Sequence, residues 1–158
     1  MPDGGRYCPG MAREPFYTAR AHVTGGREHG HGRTSDGLLD VQLRVAPELG
    51  GDGGGTNPEQ LFAVGFAACF EGALMVAARR QRLEAGDVAI DSQVSLTAAE
   101  DRRFVLGVTL DVSLPSVEDP EQAVALVEAA HQICPYSNAT RGNVEVRLTA
   151  NGQPIGAS

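Results

Sequence analysis

The sequence predicts an α+β domain, mainly antiparallel strands around a buried helix, and three observations carry that reading. Residues 38–45 and 88–114 alternate apolar with polar side chains at the two-residue period of half-buried strands. Residues 58–78 are the most apolar part of the chain and open on a helix-start signal. Residues 118–135 carry a second, amphipathic helical pattern between strands. The resulting order, β-β-(β)-α-β-β-α-β, suits an α+β fold.

Each element has its own justification. Residues 1–13 are rich in glycine, proline and charge and are expected to be a flexible extension; 14–158 then form one domain, without internal repeat or linker. "FYTARAHVT" places Tyr17, Ala19, Ala21 and Val23 on one face, the pattern of a strand. "GGREHGHG" is expected to be a glycine-rich turn. After the Asp36-Gly37 turn, Leu39, Val41, Leu43 and Val45 alternate with Asp40, Gln42 and Arg44 as a second strand. Thr56 or Asn57 offers an N-cap, Pro58 suits the first turn, and Glu59 sits near the positive end of the dipole. The helix they open is apolar over most of its surface, so it belongs inside the fold, and "RRQRLEAGD" closes it with basic residues.

Two strands follow with even-numbered residues inward: Val88, Ile90, Val94 and Leu96, then Phe104, Leu106, Val108, Leu110, Val112 and Leu114. The second helix is capped by Asp119, starts at Pro120, lines up Ala123, Val127, Ala130 and Cys134 on one face, and ends at Pro135. "NVEVRLTA" is the last strand.

Composition narrows the function. With 158 residues, 42% hydrophobic and 21% charged, the chain can bury a real core. Tryptophan is absent, so aliphatic side chains must fill it. Lys and Arg number 13 against 20 Asp and Glu, a net charge of −7 that argues against nucleic-acid and anionic-membrane partners. The strongly apolar run Leu61–Phe70 stops at Glu71, short of a bilayer span, and "MPDGGRYCPGMAR" lacks the pattern of a secretory signal. The expectation is a cytoplasmic protein with reduced thiols. Three scattered cysteines, Cys8, Cys69 and Cys134, are then structural, metal-binding or catalytic.

Cys69 lies in "FAVGFAACFEGAL" and on burial alone reads as an inert core thiol. It reads differently if the helix breaks near Gly65, because its sulfur would then lie at a fresh helix amino end that favours thiolate. Cys134, near the carboxyl end of its helix, is expected to stay a neutral thiol. One activated and one neutral thiol are what a two-step redox reaction needs. "HGHG" and "HQIC" hint at metal, and Cys69, Cys134 and His131 are one conceivable zinc set, though neither motif supplies full ligand spacing. "GGDGGGTN" lacks the Gly-Lys-Ser/Thr ending of a phosphate loop.

Four segments taken together carry a resemblance: "TGGR" (24–27), "SDGLLDVQL" (35–43), "ELGG" with "GTNPEQLFAVGFAACFEGAL" (48–74), and "AHQICPYSNATRGNVEVRL" (130–148). They closely resemble the organic hydroperoxide resistance (Ohr) branch of the OsmC/Ohr family, from about Tyr17 to Leu148. The resemblance implies an OsmC-like fold in an intertwined homodimer, with the active sites at the subunit interface. It also implies a thiol peroxidase with no bound cofactor or metal. Cys69 would be the peroxidatic cysteine, Cys134 the resolving one, Arg27 the stabiliser of thiolate and peroxide, and Glu59 the residue that orients Arg27. The reductant would be an external dithiol, a dihydrolipoyl group on a lipoylated partner protein. Phe62, Phe66, Phe70, Leu74 and Met75 offer apolar surface for an alkyl hydroperoxide, or are plain core. Cys8 falls outside the family pattern. A sensor that uses the same thiol pair as a switch is the competing class. Glu59 and Cys69 stand ten residues apart, about 15 Å on a straight helix, so either the helix folds back near Gly65 or a second subunit completes the site.

Overall fold

The computed structural model describes residues 14–156, so the expected N-terminal extension and Cys8 lie outside the described residues. The chain divides into two compact units, one ending at Gly55 and one beginning at Thr56.

The first unit is a three-stranded antiparallel sheet of β1 (Ala21–Thr24), β2 (His29–Thr34) and β3 (Asp40–Arg44), in that order, followed by a one-turn 3-10 helix at Pro47–Leu49. Two expectations need correction here. The first strand is shorter than its alternation suggested and every residue of it is exposed, as is Tyr17 before it. The turn covers only the start of "GGREHGHG", because His29–Thr34 pairs on both sides, with β1 and with β3. Pairing offsets the poor strand propensity of Gly30, which is held by β3, and of Gly32, which is held by both neighbours. The reversal itself needs glycine: Gly25 and Gly26 have φ of 71° and 61°, and a Cβ at Gly25 would meet the His29 carbonyl oxygen at 2.6 Å.

The second unit begins with α1 (Pro58–Gln81). It continues through β4 (Ala89–Ala98), β5 (Phe104–Ser113), α2 (Pro120–Ile133), α3 (Pro135–Thr140), β6 (Glu145–Ala150) and β7 (Gln153–Ile155). Its sheet runs β4-β5-β6-β7, antiparallel except for the parallel pair β5–β6, which α2 and α3 connect. Helix α1 packs on β4 and α2, and α2 packs on β6. Between them lies a core that includes Phe66, Phe70, Leu74, Leu110, Leu114, Leu126 and Val127, all fully buried. The even-numbered side chains of β4 and of β5 from Leu106 face inward as expected. Phe104 does not: it stands at the hairpin end, beside the Ala99–Arg103 turn, and is 75% exposed. Edge strand β7, carrying Pro154, was not expected.

Helix α1 starts where the sequence placed it, with Asn57 accepting a hydrogen bond from the Gln60 N–H at 2.9 Å and Pro58 in the first turn. It is unbroken at Gly65, which removes the first of the two alternatives, a helix that folds back there. A glycine in a helix interior costs about 1 kcal/mol relative to alanine. Full burial of a side chain such as Phe66, Phe70 or Leu74 returns about 1.5–3 kcal/mol each. Packing therefore carries the helix through. Its 24 residues are long and apolar enough to match a membrane-crossing segment, contrary to the run-length reading. Its buried face, however, belongs to the core of this unit.

Candidate active site

Cys69 stands in the middle of α1, partly exposed, and Cys134 is fully buried where α2 gives way to α3. Their sulfurs share a hydrogen bond at 3.8 Å across 65 residues of sequence. Neither thiol is in a disulfide.

The corner that presents Cys134 is built by its own sequence. Cys134 ends α2, its N–H bonded to the Ala130 carbonyl at 2.9 Å, and its ψ of 123° takes the chain out of the helix. Pro135 then occupies the first turn of α3, and the Cys134 sulfur accepts a hydrogen bond from the Ser137 N–H at 3.5 Å. Pro135 thus ends one helix, as expected, and begins another that was not. The signal was present: Asn57-Pro58, Asp119-Pro120 and Cys134-Pro135 all place a capping side chain before a first-turn proline.

Tyr136, which sequence reasoning did not single out, contributes twice. Its backbone N–H hydrogen-bonds the Cys69 sulfur and favours the thiolate. Its ring lies 5.9 Å from Phe62 and 5.6 Å from Phe66, centroid to centroid, over Gly65. A Cβ at Gly65 would come within 3.2 Å of the Tyr136 hydroxyl, so the glycine makes room for the ring. Phe62, Leu106, Tyr136, Thr140 and Val144 line a largely apolar cavity of about 430 Å³. Phe70 and Leu74 have no exposed surface and serve as core.

Burial pushes the Cys69 thiol above its ordinary range, and the charge and hydrogen bond of Cys134 add to this, against the opposing Tyr136 N–H. The activation that a break in α1 near Gly65 would have given Cys69 is absent, and the helix amino end that does face the sulfur is that of α3, through the Tyr136 N–H.

The other two predicted residues come from other parts of the chain. Glu59 lies in the first turn of the unbroken α1, ten residues from Cys69, about 15 Å along the axis. Arg27 is partly buried in the β1–β2 turn of the first unit. Among the described residues, no three His, Cys, Asp or Glu side chains are gathered as metal ligands. His131, from "HQIC", is buried and hydrogen-bonds Ser137 through Nδ1 at 2.9 Å.

The geometry can now be set beside known proteins. The family described as OsmC-like protein matches residues 51–149. The organic hydroperoxide resistance protein of Xanthomonas axonopodis pv. citri is 50% identical over 136 residues, 85% of this chain and 94% of that one. Organic hydroperoxide resistance protein OhrB of Bacillus subtilis is 51% identical over 135 residues, covering 84% and 96%. The crystal structure of an organic hydroperoxide resistance protein from Legionella pneumophila superimposes with a TM-score of 0.81 at 50% identity, covering 85% of this chain and 97% of that one. The chain belongs to the OsmC-like family, among its organic hydroperoxide resistance proteins. The expected α+β, OsmC-like fold is the one observed.

Proposed function

We propose that the protein is a cysteine peroxidase that reduces organic hydroperoxides to alcohols. The observation that carries this reading is the 3.8 Å approach of Cys69 and Cys134 in a chain with this kinship. The Cys69 thiolate attacks one peroxide oxygen, the O–O bond breaks, alkoxide leaves to become alcohol, and Cys69 becomes a sulfenic acid. Cys134 condenses with it, releasing water and closing a disulfide before irreversible over-oxidation. An external dithiol, by family resemblance a dihydrolipoyl group on a lipoylated protein, reopens the bond. No bound cofactor takes part. Such a cycle belongs in a reducing cytoplasm.

Because burial raises the Cys69 pKa, the site needs a cation to hold thiolate at neutral pH. Arg27 is assigned that role and faces charge developing on the peroxide oxygen; Glu59 aims its planar fork. The family resemblance supports a homodimer in which another copy of the chain helps to complete the site, and an α1 that does not fold back at Gly65 is consistent with it. The apolar cavity beside Tyr136 and Phe62 suits an alkyl group better than hydrogen peroxide does.

Steady turnover of cumene hydroperoxide with dihydrolipoamide tests the proposal. Sustained consumption beyond one equivalent per chain is expected. A single equivalent followed by arrest would mark a switch rather than an enzyme.

A further inference from the structure

A buried histidine that this chemistry does not use stands one turn before Cys134. His131 is 5% exposed and Ser137 not at all, and a 2.9 Å hydrogen bond joins Nδ1 of the ring to the serine Oγ. Buried polar groups cost stability unless they satisfy each other, so this pair is a fixed joint rather than a passing contact. It ties the last turn of α2 to the first turn of α3. Arg141 reinforces the same joint, donating from Nη2 to the His131 carbonyl at 2.8 Å and from Nη1 to Asn138 Oδ1 at 2.7 Å.

The clamped segment reaches both sulfurs. The Ser137 N–H donates to the Cys134 sulfur, and the N–H of the preceding residue, Tyr136, donates to the Cys69 sulfur. Closing the disulfide requires the sulfurs to move from 3.8 Å to about 2.05 Å. Cys69 sits mid-way along a 24-residue helix, whereas Cys134 sits at a corner between two helices. The corner is the side whose placement decides whether the two meet.

We propose that His131 is a positioning residue for disulfide closure: through Ser137 it pins α3 to the end of α2 and keeps Cys134 within reach of oxidised Cys69. The inference rests on the peroxidase reading above. In the step concerned, the Cys134 sulfur attacks the sulfenic sulfur of Cys69. An S–S bond forms, the S–O bond breaks, and hydroxide departs with the Cys134 proton as water. Peroxide attack on Cys69 precedes this step and does not require Cys134 to move.

A time course on the full, reduced chain separates the two steps. One equivalent of cumene hydroperoxide is added, samples are quenched, and mass spectrometry follows reduced Cys69, its dimedone-trapped sulfenic acid and the disulfide. Ser137→Ala, which removes a single oxygen, should slow disulfide closure about tenfold, as loss of one buried hydrogen bond would, while loss of reduced Cys69 stays within about twofold of wild type. The dimedone adduct should rise accordingly. His131→Gln, able to donate or accept, should close faster than His131→Phe. Unchanged closure in Ser137→Ala, or equal slowing of both steps, overturns the inference, and if His131→Phe does not fold Ser137→Ala still decides. A wild-type chain that forms no Cys69–Cys134 disulfide overturns the peroxidase reading as well. Normal wild-type closure with unaffected variants removes only the role of His131.

Discussion

Cys69 is a thiol whose surroundings pull in opposite directions. Burial and the adjoining Cys134 hold the proton on, and the Tyr136 N–H helps to take it off. Thiolate is the reactive form, so the rate climbs as pH rises through the thiol's pKa. Removing Cys134's contribution should therefore lower the midpoint: in Cys134→Ala, alkylation of Cys69 by iodoacetamide, read on its own peptide, should reach half-maximal rate at lower pH than in wild type. Burial is the larger influence and remains, so the midpoint should not fall below that of a free cysteine by this change alone. Arg27→Ala should move it the other way. A Cys134→Ala midpoint that stays put or rises would show that the pair does not interact as the 3.8 Å contact indicates.

Among the elements, α1 and the α2–α3 corner bring the two thiols together, and Gly65 is where the Tyr136 ring lies over α1. Gly65→Ala gains about 1 kcal/mol of helix propensity. It sets a methyl 3.2 Å from the tip of the Tyr136 side chain, which is 38% exposed and free to shift. Thermal unfolding of Gly65→Ala should therefore occur at or above the wild-type temperature. Gly65→Leu should unfold lower and react more slowly with cumene hydroperoxide, because a longer side chain displaces the ring and with it the segment whose N–H serves Cys69. A Gly65→Ala protein that loses more than about 2 kcal/mol would mean the Tyr136 ring is rigidly held, contrary to its exposure. These elements were legible to unequal degrees. Strands β3, β4 and β5 and helix α2 were legible because each has one regular apolar face, and α1 because of its cap signal and its long apolar run. Strand β2 was not, since Gly30 and Gly32 show no apolar period and are strand only through pairing, Gly30 with β3 and Gly32 with both β1 and β3. Helix α3 was masked by reading Pro135 as a stop alone. Local propensity left a break at Gly65 open, and core packing closes it. Of the candidate site, the sequence named both thiols, but the roles of Tyr136, Ser137 and His131 depend on contacts no periodicity encodes.

For the whole molecule, the exposed part of α1 is the feature that matters. Only 33% of its most apolar window is buried within the chain, and Val64 is 71% exposed. A second copy covering this face would bury it and would also supply what one chain's unbroken helix keeps about 15 Å apart. Sedimentation at micromolar concentration should show a dimer; a fully active monomer would contradict the assignment. Under the proposed reading, Arg27 and Glu59 act as one functional unit. Arg27→Ala should lose about 10²–10³ in peroxide reduction, Glu59→Ala less, and the double variant little more than Arg27→Ala alone. Arg27→Lys should recover only part, since it keeps charge without the planar fork. Additive losses would place the two residues in separate roles.

Single-turnover stoichiometry distinguishes whether Cys69 reacts with the peroxide and Cys134 closes on it. One equivalent of cumene hydroperoxide added to the reduced protein should yield one equivalent of alcohol and a Cys69–Cys134 disulfide. Cys134→Ser should still yield one equivalent of alcohol but leave a dimedone-reactive sulfenic acid on Cys69, and Cys69→Ser should yield none. Alcohol formed by Cys69→Ser, or a Cys134→Ser protein that cannot complete the first turnover, would contradict the account.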